Sequence, residues 1–136
     1  MDKLVMKNEI ILEEAATLMA EGRDVCLTPL GSSMLPFIKG GKDSVTLRKL
    51  ENVEVGDIAL VRLPGRYVLH RVIAVDGDKI TLMGDGNIRG TEKCRLADVL
   101  GTVVEVNGKK PGKGRFWRRI KPLRRYILAI YRRVFI

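Results

Sequence analysis

Two periods of apolar residues alternate along the chain. Between Asn8 and Glu21, Ile11, Ala15 and Leu18 recur at three- to four-residue spacing, which predicts a helix over 8–21. Asn8 is its expected N-cap, Glu9 lies in its first turn, and Gly22 is its expected stop. From Val25 the period drops to two, in short runs punctuated by Gly, Pro and Asp. These runs predict strands at 24–28, 44–49, 57–63, 67–75, 79–83 and 98–106, with Asp76-Gly77 marking a tight hairpin. Many short strands and few helices predict a compact, mainly β body over 24–106, a twisted sheet or partial barrel. Residues 107–115 read as a Gly/Lys linker. In 116–136 the helical period returns, with Pro122 suited to a first turn and Leu123, Ile127, Ile130 and Val134 on one stripe. Arg125 and Arg132 oppose that stripe, Arg124 and Arg133 flank it, and Leu128 and Phe135 fall off it.

Composition sharpens this outline. Of 136 residues, 46% are hydrophobic and 30% charged, which fits a folded globular chain rather than a disordered one. Two cysteines, Cys26 and Cys94, are too few for a disulfide scaffold and lack zinc-ligand spacing, so neither metal nor cofactor is expected. The net charge of +9 is unevenly placed. Residues 1–107 hold 14 basic side chains and all 16 acids, whereas residues 108–136 hold 11 basic side chains and no acid. A near-neutral body speaks against a nucleic-acid partner. The tail instead predicts peripheral contact with an anionic membrane through Trp117, Arg118, Arg119, Arg124, Arg125, Arg132 and Arg133, with Tyr126 and Tyr131 also at headgroup level. The competing expectation is a basic helix packed on the body or on a partner subunit. Asp2, Glu9, Glu13 and Glu14 interrupt the start, and no uncharged apolar run reaches roughly 18 residues. The expected location is therefore the cytoplasm or the inner membrane surface, with reduced thiols.

Three segments carry candidate chemistry. Pro29-Leu-Gly-Ser-Ser-Met-Leu-Pro36 is a Gly/Pro-bounded turn that could expose a serine hydroxyl beside a backbone amide, although such residues also make ordinary turns. In Tyr67–Val75, strand alternation places His70 with Val68, Val72 and Ala74 on one side. His70 is the chain's single imidazole, so any histidine base must be this one, while a half-buried structural histidine is the bland alternative. Met83-Gly-Asp-Gly-Asn87 ends the next strand. There Asp85 could orient a histidine or cap the backbone, and Asn87 could brace the loop.

Taken in order, Gly31-Ser32-Ser33-Met34-Leu35-Pro36, Gly56-Asp57-Ile58, His70-Arg71-Val72 and Gly84-Asp85-Gly86-Asn87 resemble the signal peptidase I-like serine peptidases of the S24/S26 superfamily. The resemblance spans about residues 25–106 and implies that family's β fold. It implies Ser33, directly before Met34-x-Pro36, as nucleophile and His70 as base, the choice of the archaeal and endoplasmic-reticulum-type branch. It implies Asp85 as the acidic partner. That branch usually carries a further aspartate downstream, where this chain offers Thr91 and Glu92, so Glu92 is the alternative. The Ser33 amide would hold the oxyanion, with Ser32 a weaker second candidate. The missing membrane-spanning anchor departs from secretory signal peptidases.

The expected function is a serine endopeptidase that processes a peptide or protein precursor, such as a leader peptide. An inactive peptide-binding module of the same fold is the alternative. A self-cleaving repressor of the same superfamily would need a lysine base and an N-terminal DNA-binding domain, for which about 24 residues before the body are too few.

Overall fold

A computed structural model of the chain describes residues 3–5, 9–87, 89–119 and 123–135. Its elements run β1 (Lys3–Val5), α1 (Glu9–Ala20), β2 (Val25–Thr28), β3 (Val45–Arg48), β4 (Ile58–Leu63), β5 (Arg66–Asp76), β6 (Lys79–Met83), β7 (Glu92–Arg95), β8 (Val99–Val106), α2 (Arg115–Arg119) and α3 (Arg124–Phe135). One mainly β sheet in the order β1-β2-β3-β8-β4-β5-β6-β7 results, antiparallel except for the β1–β2 pair.

Helix α1 stops where the sequence expects. Gly22 N–H donates to Met19 O (3.0 Å) and Arg23 N–H to Leu18 O (3.1 Å), with Gly22 at φ +88°. That paired closure needs a left-handed residue, which glycine supplies without a Cβ clash. The expected N-cap Asn8 and the expected first-turn Pro122 lie outside the described residues. The β5–β6 hairpin turns through Gly77 and Asp78 as Asp76-Gly77 predicts.

Alternation along the strands builds a core on each face of the sheet. Leu12, Ala15 and Met19 of α1 pack with Leu27, Leu47, Leu60 and Val103 on one face. On the other, Val61, Val68, Val72, Leu82 and Val99 pack together. Val68, His70 and Val72 are all buried, as the period-two reading requires. Ala74 is exposed instead, because the β5–β6 register shifts between Val72 and Ala74 and the alternation breaks there.

The tail departs from its expected arrangement. Trp117, expected at lipid headgroups, is buried with Leu35 and Leu128, and its Nε1–H donates to Asp85 O at 2.8 Å. Leu128, expected off the working stripe, is the fully buried contact of α3. Leu123, Ile127 and Ile130 of the stripe are exposed. The physical reason is that an indole with its N–H satisfied gains more from a dry pocket than from a half-wet surface. Arg119 and Arg133 are exposed, whereas the side chains of Arg118, Arg124, Arg125, Arg132 and Val134 lie outside the described residues. Among the described residues, no helix is long and apolar enough to cross a membrane.

Candidate active site

The loop between β2 and β3 carries Ser33. Gly41 N–H closes its neck onto Pro29 O (2.7 Å), and Ile38 N–H bonds Met34 O (3.0 Å). Met34 and Ile38 point into the core under α1, and Leu35 points into the contact with Trp117 and Leu128. Apolar anchors on both sides thus hold Ser33 half-buried, with Ser32 exposed beside it and Pro36 half-buried. Among the described residues, neither the Ser33 hydroxyl nor its backbone N–H makes a hydrogen bond, to His70 or to any other group.

His70 stands on β5 opposite Ala59 of β4. Its side chain is 7% exposed and its Nδ1 is in direct hydrogen-bond contact with Glu92 Oε1, whose side chain is 9% exposed. Strand register explains the contact. Glu92 of β7 sits opposite Leu82 of β6, and Leu82 opposite Val72 of β5, so Glu92 shares a sheet face with His70. Arg66 Nη2 approaches the other Glu92 oxygen at 4.0 Å. Ser33, His70, Asn87 and Glu92 all line one cavity of about 350 Å³, with Gly31, Met34 and Arg66–Leu69 completing its wall.

Asp85, the expected partner of His70, is elsewhere. Its carboxylate accepts Arg71 Nη2–H at 2.6 Å and Nε–H at 3.2 Å, and both side chains are 1% exposed. Arg71 follows His70 on the strand and so faces the other way. Its Nη1 donates to Gly56 O (2.9 Å) and Gly112 O (2.6 Å), and its guanidinium lies 5.1 Å from the Phe37 ring centroid. The pair therefore ties four loops together: the segment before β4, the Ser33 loop, the β6–β7 turn and the chain leading to α2. Lys113 of that last stretch also pairs with Asp57, so the expected linker lies along the body.

The Gly84-Asp85-Gly86-Asn87 turn acts as a cradle for the Ser33 loop. Gly86 N–H donates to Ser33 O (2.7 Å) and Asp85 N–H to Met34 Sδ (3.4 Å). A Cβ at Gly84 would lie 2.4 Å from Ser33 O, and one at Gly86 2.3 Å from Ser32 O, so only glycine permits this approach. Asn87 folds back over Gly84 and lines the cavity.

Of the residues singled out from the sequence, Ser33, Met34, His70, Asn87 and Glu92 line one cavity, Ser32 and Pro36 are not among its lining residues, and Asp85 pairs with Arg71 rather than His70. The organising role of Arg71 was not anticipated, although a charged residue within an apolar strand run was a usable signal. Among the described residues, no cluster of three His, Cys, Asp or Glu could hold a metal ion.

On its β6 side, the ladder of β5 begins only at Arg71, so residues 66–70 are paired along one edge among the described residues. Residues 66–70 also line the cavity. Among the described residues, the arrangement has an imidazole oriented by a carboxylate, a serine on the same cavity wall and a strand segment paired on one edge. Comparison with curated proteins finds no match. A family model described as Peptidase S24-like matches residues 4–104, β1 through most of β8, and the chain belongs to that family.

Proposed function

We propose that the protein is a serine endopeptidase in which Ser33 attacks, His70 transfers the proton and Glu92 positions His70. The observation that carries this reading is the His70 Nδ1–Glu92 contact, made in the wall of the cavity that Ser33 also lines. A carboxylate accepting the Nδ1–H fixes the tautomer whose Nε2 lone pair can accept a proton. Ser33 Oγ would bond to the peptide carbonyl carbon as its proton passes to His70 Nε2. The carbonyl oxygen gains the charge and is met by the Ser33 N–H. Collapse breaks the C–N bond, and His70 returns the proton to the departing amine. Water then repeats the sequence on the acyl-serine, releasing the acid and restoring the hydroxyl.

An extended peptide would pair with the open edge of residues 66–70 and place a side chain in the cavity. Such recognition suits the unfolded segment of a precursor, and leader-type processing is the expected use. The test is cleavage of a diverse peptide library read by mass spectrometry, with Ser33→Ala and His70→Ala as controls. Cleavage that both variants abolish supports the proposal. Peptide binding at the cavity with no cleavage by the unaltered protein would overturn it in favour of a binding module.

A further inference from the structure

Among the described residues, helix α3 packs on the body through one side. Leu128 is 0% exposed against Leu35 and Trp117, with half-buried Tyr131 beside them. On another side, Leu123, Tyr126, Ile127 and Ile130 are 54%, 58%, 37% and 65% exposed. Their spacing of three, four and seven residues puts them in one stripe along the helix. Single exposed apolar residues are ordinary, but four in register on a docked helix form a patch that water solvates poorly.

The charge of the tail bears on what the stripe would suit. Residues 108–136 contain 11 Lys and Arg and no acid, so the tail carries the whole positive excess of the chain. Arg119 and Arg133 are exposed. A second copy of this chain would bring the same unrelieved cations against them. An apolar stripe on a tail whose sequence holds cations and no acid complements a surface that is anionic at its edge and apolar just beneath, which describes a leaflet of acidic phospholipid. No described helix is long and apolar enough to span, so the fit is to the leaflet surface.

We infer that α3 and Leu123 just before it seat the stripe from Leu123 to Ile130 in an anionic lipid leaflet, with α3 lying in the interfacial plane while Leu128 keeps it docked to the body. The leaflet then holds the Ser33 loop at a fixed distance, because Leu35 beneath Leu128 is two residues from Ser33. Each Lys or Arg near such a surface strengthens binding about fivefold at low salt. At ~1 M salt the screening length falls to about 3 Å and most of that gain is lost.

Flotation of the full chain tests this with vesicles of equal parts phosphatidylglycerol and phosphatidylcholine, and with phosphatidylcholine alone. Ile127→Ser/Ile130→Ser is run in parallel, with Trp117 emission as a check that its fold is intact. The expected result is flotation with the anionic vesicles at low salt, a loss of about tenfold or more at high salt, and little binding to phosphatidylcholine. The double variant should bind about tenfold more weakly with unchanged Trp117 emission. No flotation at low salt overturns the inference, as does equal binding by the variant or equal binding to both vesicles. A lipid-independent dimer in sedimentation, dispersed by the double variant, would assign the stripe to a second copy and overturn it too.

Discussion

Two carboxylates lie close to the two adjacent residues His70 and Arg71, and their expected mutational effects separate cleanly. Glu92→Gln keeps the volume of the side chain but removes the charge that holds the imidazole, so kcat should fall about 10²–10⁴-fold with the melting temperature little changed. Asp85→Ala leaves a buried guanidinium without its counter-charge and should cost about 3–5 kcal/mol of stability, read as a shift in the denaturant midpoint. Swapped outcomes would return Asp85 to the role of orienting His70. Among the serines, Ser33→Ala should abolish labelling by a fluorophosphonate probe while exposed Ser32→Ala keeps it, and the reverse pattern would move the nucleophile by one position. The chain order singled out Ser33 and His70, because each sits in a short motif with its own chemistry. It could not separate Asp85 from Glu92, since both follow the histidine within a few dozen residues. That distinction is one of sheet face, decided by the β5–β6–β7 register, and the register of β7 was invisible before the strand itself was placed.

At the scale of elements, six strands and α1 were readable because each buries at least one face and so alternates or repeats in its apolar positions. The strand β7, Glu92-Lys-Cys-Arg95, lies at the edge with only half-buried and exposed residues, and β1 has three residues, too few for any period. The same logic of faces explains how α1 is held. Glu13 accepts a forked pair from Arg62 (2.6 and 2.9 Å) and the Tyr67 hydroxyl, clamping α1 to the β4–β5 hairpin beside the cavity. The hydrogen bonds from Arg62 and then Tyr67 hold the Glu13 carboxyl below the usual carboxylate range. A carboxylate lowered on folding contributes stability above its unfolded pKa and loses it as pH falls through the folded value. Acid should therefore release this clamp, and Glu13→Gln should flatten the decline in urea midpoint across that range. An unchanged acid slope would show that the exposed clamp adds nothing, as many surface pairs do. Cys94 on β7 gives a second pH signature. Its thiol is pushed up to about 11, chiefly by burial and further by Asp98, so alkylation at mildly alkaline pH should be much slower than for an open cysteine. Here the neutral form is favoured on folding, so this contribution is present below the ordinary thiol pKa and fades as pH rises towards 11.

Across the whole molecule, the tail and the Ser33 loop stabilise each other. Trp117 bonds the backbone of Asp85 and Leu128 covers Leu35, so two contacts run from residues 117–128 to the turn and loop that frame the nucleophile, and a third, from Arg71 to Gly112 O, joins them through the Arg71–Asp85 pair. The sequence hid this because the helix has two apolar sides. The longer stripe drew the reading to Leu123, Ile127 and Ile130, while among the described residues Leu128, with Tyr131 beside it, makes the contact with the body. Leu128→Ala should open a void under Leu35 and cost about 2–5 kcal/mol. Trp117 is the chain's one tryptophan, so its emission reports this contact without interference. The variant should shift that emission to the red, towards a solvated indole, and lower the cleavage rate in step, because the loop that carries Ser33 loses its cover. Leu128→Met, which keeps most of the volume, should restore both readouts. A Leu128→Ala protein with unshifted emission and full turnover would mean that the tail rests on the body without supporting the site. Emission that shifts with turnover intact would confine the coupling to stability alone.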